Sequence, residues 1–189
     1  STVWAPSHLT QLALTTSNTG TTGDDLLVGA QHYVDHLLGG AGNDTLRANG
    51  SFDVLDGGTG DDHLGFVADG ISGTTFIGGT GNDTIQGTMY YDTYVFNRGD
   101  GSDTITDFGS TAYLDILRFG EGITVADIGA RRSGNDMVIT VAGQAGDQIT
   151  VKNWFANSTG EHQIEATVFA DSTVWAPSHL TQLALTTSN

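Results

Sequence analysis

Cysteine is absent from this 189-residue chain, so disulfides, thiolate metal sites and a cysteine nucleophile are excluded. Basic residues are scarce: six Lys and Arg stand against 22 Asp and Glu, a net charge of −16. So acidic a chain repels phosphate backbones and anionic headgroups, and neither nucleic acid nor membrane insertion is expected among its partners. No apolar run approaches the roughly 20 residues that span a bilayer. Ser1 opens with no basic region or cleavage site, so no signal peptide is read there. Catalytic signatures are missing too. There is no Gly-x-Ser-x-Gly elbow, no His-Glu-x-x-His and no phosphate loop, and Glu121, Glu161 and Glu165 are dispersed rather than paired. The chain is not expected to be an enzyme.

What it has in excess is glycine, 27 residues, and the glycine is patterned. Gly39-Gly40-Ala41-Gly42-Asn43-Asp44-Thr45-Leu46-Arg47 reads Gly-Gly-x-Gly-x-Asp-x-Leu-x. The unit recurs from Gly57 to Gly65 and from Gly78 to Gln86. A nine-residue period fixes a solenoid-like architecture before any other feature does. The apolar residue at position eight gives the series Leu27, Leu37, Leu46, Leu55, Leu64, Phe76, Ile85, Tyr94 and Ile105, expected to point inward from short strands, one per half-turn. One residue is added before Asp35, three before Thr74 and two before Arg98; insertions of this kind go to surface loops.

Alternate turns fall on opposite edges, and the two edges differ. The odd turns end at Asp25, Asp44, Asp62, Asp83 and Asp103, and all keep Gly at position four and Asp at position six. The even turns end at Asp35, Asp53, Thr74 and Asp92 and lose the position-four Gly, apart from Gly73 beside an insertion. Of the 22 acidic residues, 14 lie between Gly20 and Asp107, a crowding that asks for cations. Calcium needs six to eight oxygens at about 2.3–2.6 Å, and a turn offers its carbonyls only by curling in a way that favours Gly. Same-edge turns stack about 4.8 Å apart, so an ion between two of them can be held from both. Five odd turns leave four such spaces, and folding should be coupled to filling them. The even edge is expected to be dry or differently used, with Asp35, Asp53 and Asp92 as solvated or hydrogen-bonding turn residues.

The nonapeptide resembles the haemolysin-type calcium-binding, or RTX, repeat. The resemblance implies an all-β, right-handed parallel β-roll with calcium in its glycine-rich turns. It also implies the ligands: carbonyls of positions one and three in one turn, of two and four in the next, and both position-six Asp side chains. Carried onto this chain, the candidate calcium residues are Gly20, Thr22 and Asp25 in the first turn and Gly39, Gly40, Ala41, Gly42 and Asp44 in the second. Gly57, Gly58, Thr59, Gly60 and Asp62 follow in the third, Gly78, Gly79, Thr80, Gly81 and Asp83 in the fourth, and Gly99, Gly101 and Asp103 in the fifth. About four Ca²⁺ are expected, all on the odd edge. The outer turns depart from the pattern, with Thr21 at position two and Arg98 at position one.

Beyond Asp107 the rhythm changes. Tyr113–Phe119, Gln148–Val151 and Gln163–Phe169 read as strands, and Ile128–Arg132 with Met137–Ala142 as a hairpin around Ser133-Gly134-Asn135-Asp136. Asn153–Ala156 reads as a helical turn. The wording from the GDGSDTI stretch at Gly99 through LRFGEGI, SGNDMVITV and VKNWF to VFAD resembles the haemolysin-type calcium-binding protein-related domain, which follows such repeats in large secreted bacterial proteins. Residues 1–18 recur identically as 172–189, an offset of 171, so the chain reads as one unit of a longer tandem array, with an engineered duplication as the alternative. The expected organisation is 1–19 as the end of a preceding repeat and an N-terminal cap, 20–107 as the calcium-binding roll, 108–175 as a small antiparallel β-rich segment, and 176–189 as the start of the next repeat. Thr2–Trp4 reads as a strand finishing the preceding segment, and Leu9–Leu14 as a short helix covering the open end of the next roll.

The function implied is a calcium-binding structural module of an extracellular, type I secreted protein, a spacer, stalk or adhesin repeat whose partners are its neighbouring repeats. A carbohydrate- or surface-binding module using Tyr33, Phe52, Tyr90 and Tyr91, or an accessory region of a secreted enzyme, are the alternatives. Arg98-Gly99-Asp100 spells an integrin-type tripeptide, but it lies inside the last glycine-rich turn. His32, His36 and His63 read as scattered surface residues, and Trp154, Phe155 and Trp175 as core rather than a sugar platform.

Overall fold

The apolar series turns inward. In the computed structural model, which describes residues 15–67, 70–109 and 111–186, Leu37, Leu46, Leu55, Leu64 and Phe76 are wholly buried, and Ile85, Tyr94 and Ile105 nearly so. Leu27, at the start, is partly buried against them. Each turn of the roll contributes one strand to each of two facing sheets. The first sheet collects β1 (Thr15–Thr19), β3 (Val34–Ala41), β5 (Val54–Thr59), β7 (Thr75–Thr80) and β9 (Thr93–Phe96), and the second collects β2 (Leu26–Val28), β4 (Thr45–Ala48), β6 (His63–Phe66), β8 (Thr84–Gln86) and β10 (Ser102–Thr106). All these neighbours pair in parallel. The register puts like on like: Leu37, Leu55, Phe76 and Tyr94 share one rung position, and Leu27, Leu46, Leu64, Ile85 and Ile105 another. Phe76 and Tyr94 stack with centroids 5.7 Å apart. This in-phase stacking holds every odd turn directly over the next.

The roll does not stop at Asp107. β11 (Ile116–Phe119) extends the first sheet in parallel beside β9, and β15 (Ala166–Val168) follows it. β14 (Gln148–Val151) extends the second sheet in parallel beside β10. Among the described residues the antiparallel pairings are those of β12 (Ile128–Ser133) with β13 (Asp136–Val141), of β13 with β14, and of β15 with β16 (Val174–Trp175). Residues 108–175 thus continue both sheets rather than form one of their own, and the hairpin β12–β13 is inserted between β11 and β14. The strands expected over Tyr113–Phe119 and Gln163–Phe169 shorten to their last four residues and to Ala166–Val168. The expected helical turn at Asn153–Ala156 is a hydrogen-bonded turn, with the Ala156 amide donating to the Asn153 carbonyl and Asn153 at φ +61°.

The expected strand Thr2–Trp4 and helix Leu9–Leu14 lie outside the described residues. Their second copies are described. Val174–Trp175 pairs with β15, finishing the segment that precedes it. The helix α1 (Pro177–Thr186) buries Leu180 and Ala184 in the common core and lies against β12 and β13. In this copy the helix covers its own repeat; its apolar face meets the hairpin, and Thr181 Oγ1 accepts a 3.0 Å hydrogen bond from buried Trp154 Nε1. Trp175 packs edge-on to Phe169 and stacks on His179, and half-buried Phe155 lies under the Arg132 guanidinium.

Candidate metal centre

Glycine at positions two and four sets the odd turns. Gly40, Gly58, Gly79 and Gly99 hold φ between +94° and +106°, and Gly42, Gly60, Gly81 and Gly101 between +98° and +147°, a region L side chains avoid. Position one needs glycine for space. A Cβ on Gly39, Gly57 or Gly78 would collide with Oδ2 of Asp44, Asp62 or Asp83 in the same turn. Successive turns are tied by backbone hydrogen bonds such as Gly42 N to Thr59 O and Gly60 N to Thr80 O, both 2.9 Å.

The position-six aspartates form a ladder. The amides of Asp25, Asp44, Asp62 and Asp83 donate to Oδ1 of Asp44, Asp62, Asp83 and Asp103 at 2.7–3.0 Å. A second ladder, at position five, runs the other way on the exposed side, from Asn43 N to Asp24 Oδ1, Asp61 N to Asn43 Oδ1 and Asn82 N to Asp61 Oδ1. Position six therefore spends one carboxylate oxygen on the neighbouring turn. The other oxygen of Asp44, Asp62 and Asp83 is buried without a hydrogen-bond donor. Such an oxygen is costly unless a cation meets it. Burial pushes Asp62 and Asp83 up to about 6 and Asp103 up to about 8, with neighbouring carboxylates adding to the shift. No lysine or arginine relieves them: among the described residues the ion pairs are Arg98 with Asp127 and Lys152 with Asp136. Orphaned carboxylate oxygens against a glycine cradle, with carbonyls stacked turn on turn, fit a hard, oxygen-seeking cation.

The outer turns differ from the inner three. In the first, Thr21 donates to Asp25 Oδ2 through its amide at 2.6 Å and its hydroxyl at 2.8 Å, and Gly23 lacks the positive φ of the other position-four glycines. That turn is closed on itself. In the last, the Arg98 guanidinium reaches the carbonyls of Ala142 and Gly122, and Gly99 N donates to Asp147 Oδ2 at 2.8 Å. Asp100 is 5% exposed and accepts from Asn97 N. Within the Arg98-Gly99-Asp100 tripeptide, Asp100 is folded inward while Arg98 stays exposed and is engaged with the Ala142 and Gly122 carbonyls and with Asp127.

The even-edge aspartates are not solvated. Asp35 and Asp53 are wholly buried and Asp92 is 2% exposed. They too form a ladder, from Asp35 N to Asp53 Oδ1 and from Asp92 N to Asp115 Oδ1. Their Oδ2 atoms, unlike those of Asp44, Asp62 and Asp83, meet donors: Ala30 N on Asp35, Asn49 N and Gly50 N on Asp53, and Thr88 N on Asp92. The hydrogen-bonding half of the expectation holds and the solvated half does not, because the inter-turn stacking that buries one edge buries the other.

Reading position by position missed Asp107 and Asp115, both wholly buried. The signal was available: Asp115 stands two residues before inward-facing Leu117, the phase of Asp44 before Leu46 and of Asp92 before Tyr94.

Comparison with known proteins accords with this geometry. Residues 33–64 and 70–88 match the RTX calcium-binding nonapeptide repeat, and residues 136–178 the haemolysin-type calcium binding protein related domain. An 84-residue stretch, 43% of the chain, is 36% identical to the iron-regulated protein FrpA of Neisseria meningitidis serogroup C and spans 7% of that protein. The chain carries RTX calcium-binding nonapeptide repeats, stacked as a parallel β-roll, followed by a haemolysin-type calcium binding protein related domain.

Proposed function

We propose that the chain is a calcium-dependent structural module of a large extracellular protein, one repeat of a spacer, stalk or adhesin array rather than an enzyme. The observation that carries this is the odd-edge ladder, whose Asp44, Asp62 and Asp83 each keep one buried carboxylate oxygen without a donor. In this reading Ca²⁺ fills the four spaces between the five odd turns and supplies the positive charge that the aspartates lack. The two inner spaces, flanked by Asp44, Asp62 and Asp83, are the strongest. The first is weakened by the Thr21 contacts to Asp25, and the last is bounded by Arg98. Extracellular calcium modules work with dissociation constants as weak as about 10⁻⁴–10⁻³ M, so such sites stay empty inside a cell and fill outside it. Folding is thereby deferred until after export.

The duplicated ends support the array. Thr186, the last residue of α1, stands 171 positions after Thr15, the first residue of β1. In an array the helix closing one roll hands directly to the strand opening the next, a joint without a linker, as a stalk requires. Circular dichroism with calcium and then with excess chelator tests the reading: the sheet signal should collapse on chelation and return with calcium, and an unchanged spectrum sinks it.

A second reading has its own support. Tyr90 and Tyr91 both pack edge-on against Tyr113 on the even edge, and a groove of about 370 Å³ lies between His32, Tyr33, Asn49, Phe52 and Ile71. Aromatic faces beside a groove suit a sugar. A glycan array in calcium buffer decides: a hit abolished by Phe52→Ala favours a binding module, and no hit favours the spacer.

A further inference from the structure

We propose that Asp92, Asp107 and Asp115 form a divalent-cation site on the even edge, built from side-chain carboxylates rather than from a glycine-rich turn, and that its ion is Ca²⁺. The three residues come from two successive even turns. Asp92 closes the turn before β9, Asp107 follows β10 and opens the next turn, and Asp115 closes that turn before β11. Parallel pairing of β9 with β11 sets Asp92 and Asp115 on neighbouring rungs. One carboxylate oxygen from each of the three lies within 4.8 Å of the others.

The arrangement is held in place. Tyr94 OH donates to Asp107 Oδ1 at 2.7 Å and Gly109 N to Asp107 Oδ2 at 3.1 Å. Asp92 N donates to Asp115 Oδ1 at 2.7 Å, and Thr88 to Asp92 through its amide and hydroxyl. Asp115 Oδ2 is left buried with no donor, beside Asp107 Oδ2, in a space that a Cβ on Gly109 would enter. It is the even-edge counterpart of the orphaned oxygens on Asp44, Asp62 and Asp83.

No described lysine or arginine pairs with the cluster. The nearest titratable base is His162, whose Nδ1 lies 3.0 Å from the Asp107 carbonyl oxygen. Three carboxylates this close and this buried do not all ionise without a cation. Burial and mutual repulsion accordingly push Asp115 up to about 9, and burial pushes Asp92 up to about 7. All the donor atoms are oxygen, which selects a hard ion, and an irregular set drawn from two turns suits Ca²⁺ better than the strict octahedron of Mg²⁺. Asp115 N also donates to Glu165 Oε2 at 3.0 Å, so an ion here ties the nonapeptide roll to the segment leading into β15.

Crystals of the full chain grown in calcium, with anomalous scattering collected, test the site without altering it. The expected result is an anomalous peak among the three carboxylates besides those on the odd edge. Odd-edge peaks with none here overturn the inference while leaving the functional reading intact, and peaks here alone do the reverse. Native mass spectrometry of Asp107→Asn and Asp115→Asn gives a second measurement: each should bind one Ca²⁺ fewer than the unaltered chain, and an unchanged count overturns the proposal.

Discussion

The two edges of the roll carry the same aspartate in the same phase and put it to different use. On the odd edge Asp44 N donates to Asp62 Oδ1 at 2.7 Å, and on the even edge Asp35 N donates to Asp53 Oδ1 at 2.8 Å. The ladders match; the second oxygen does not. In the even turns local amides close on it, as Asn49 N and Gly50 N close on Asp53. In the inner odd turns the position-four amides are committed to carbonyls of the next turn, Gly42 to Thr59 and Gly60 to Thr80, and Asp44, Asp62 and Asp83 keep an oxygen for something else. In the inner odd turns the oxygen left for a cation is the one to which the surrounding backbone offers no donor.

Removing calcium should break that difference most severely. The odd edge then holds several uncompensated buried carboxylates, while on the even edge Asp35 and Asp53 keep their backbone donors, and because both edges close the same turns the whole roll unfolds. Loss of the sheet signal on chelation, followed by circular dichroism, is the expected outcome.

Glycine substitutions come next. Gly58→Ala combines a φ of +100° with a collision against the Gly40 carbonyl, and should cost about 3 kcal/mol of calcium-loaded stability. Gly99→Ala meets the same kind of φ, +94°, but open space, and should cost only about 1 kcal/mol. Denaturant midpoints compare the two directly, and equal costs would show that crowding between turns is not what demands glycine.

Acidity offers a third test, with a sign that depends on calcium. Burial raises Asp62 and Asp83 to about 6 and Asp103 to about 8, from 3.8 for the free side chain. In the metal-free chain these groups favour the folded state fully below the free value, and the contribution is lost as pH rises through about 6 to about 8. A chelated sample should therefore regain sheet on acidification from about pH 8 to about pH 4. A calcium-loaded sample should instead release its ions over the same range, as protons displace them. A calcium electrode and circular dichroism on one titration check both.

The smallest change should come from Thr21→Gly. It removes the hydroxyl that closes Asp25 Oδ2 and brings the first turn toward the inner three, so calcium affinity of the first space should rise, by about threefold if one modest hydrogen bond is the barrier. Calorimetry that finds weaker binding would mean that Thr21 helps to build that turn rather than to shut it.

Much of this was legible because the chemistry is local and periodic. The position-eight series named the core from Leu37 to Ile105, and the glycines at positions two and four announced the positive φ of the inner turns. The Ser133–Asp136 signal placed the β12–β13 hairpin. What escaped reading depended on contacts distant in sequence. Asp115 is 23 residues from its ladder partner Asp92, so a nine-residue window does not see that the roll continues past Asp107. The burial of Asp35 and Asp53 follows from stacking of both edges, whereas their sequence neighbours read as ordinary turns. The side taken by α1 is set by the hairpin face, which the helix pattern alone does not specify.

Counting ions in two matched variants tests the asymmetry of the edges most directly. Asp62→Asn removes a carboxylate from the odd ladder, and Asp53→Asn removes its even-edge equivalent. Native mass spectrometry in calcium should show fewer bound Ca²⁺ in Asp62→Asn and the full number in Asp53→Asn. Equal losses in both, or no loss in Asp62→Asn, would contradict the account.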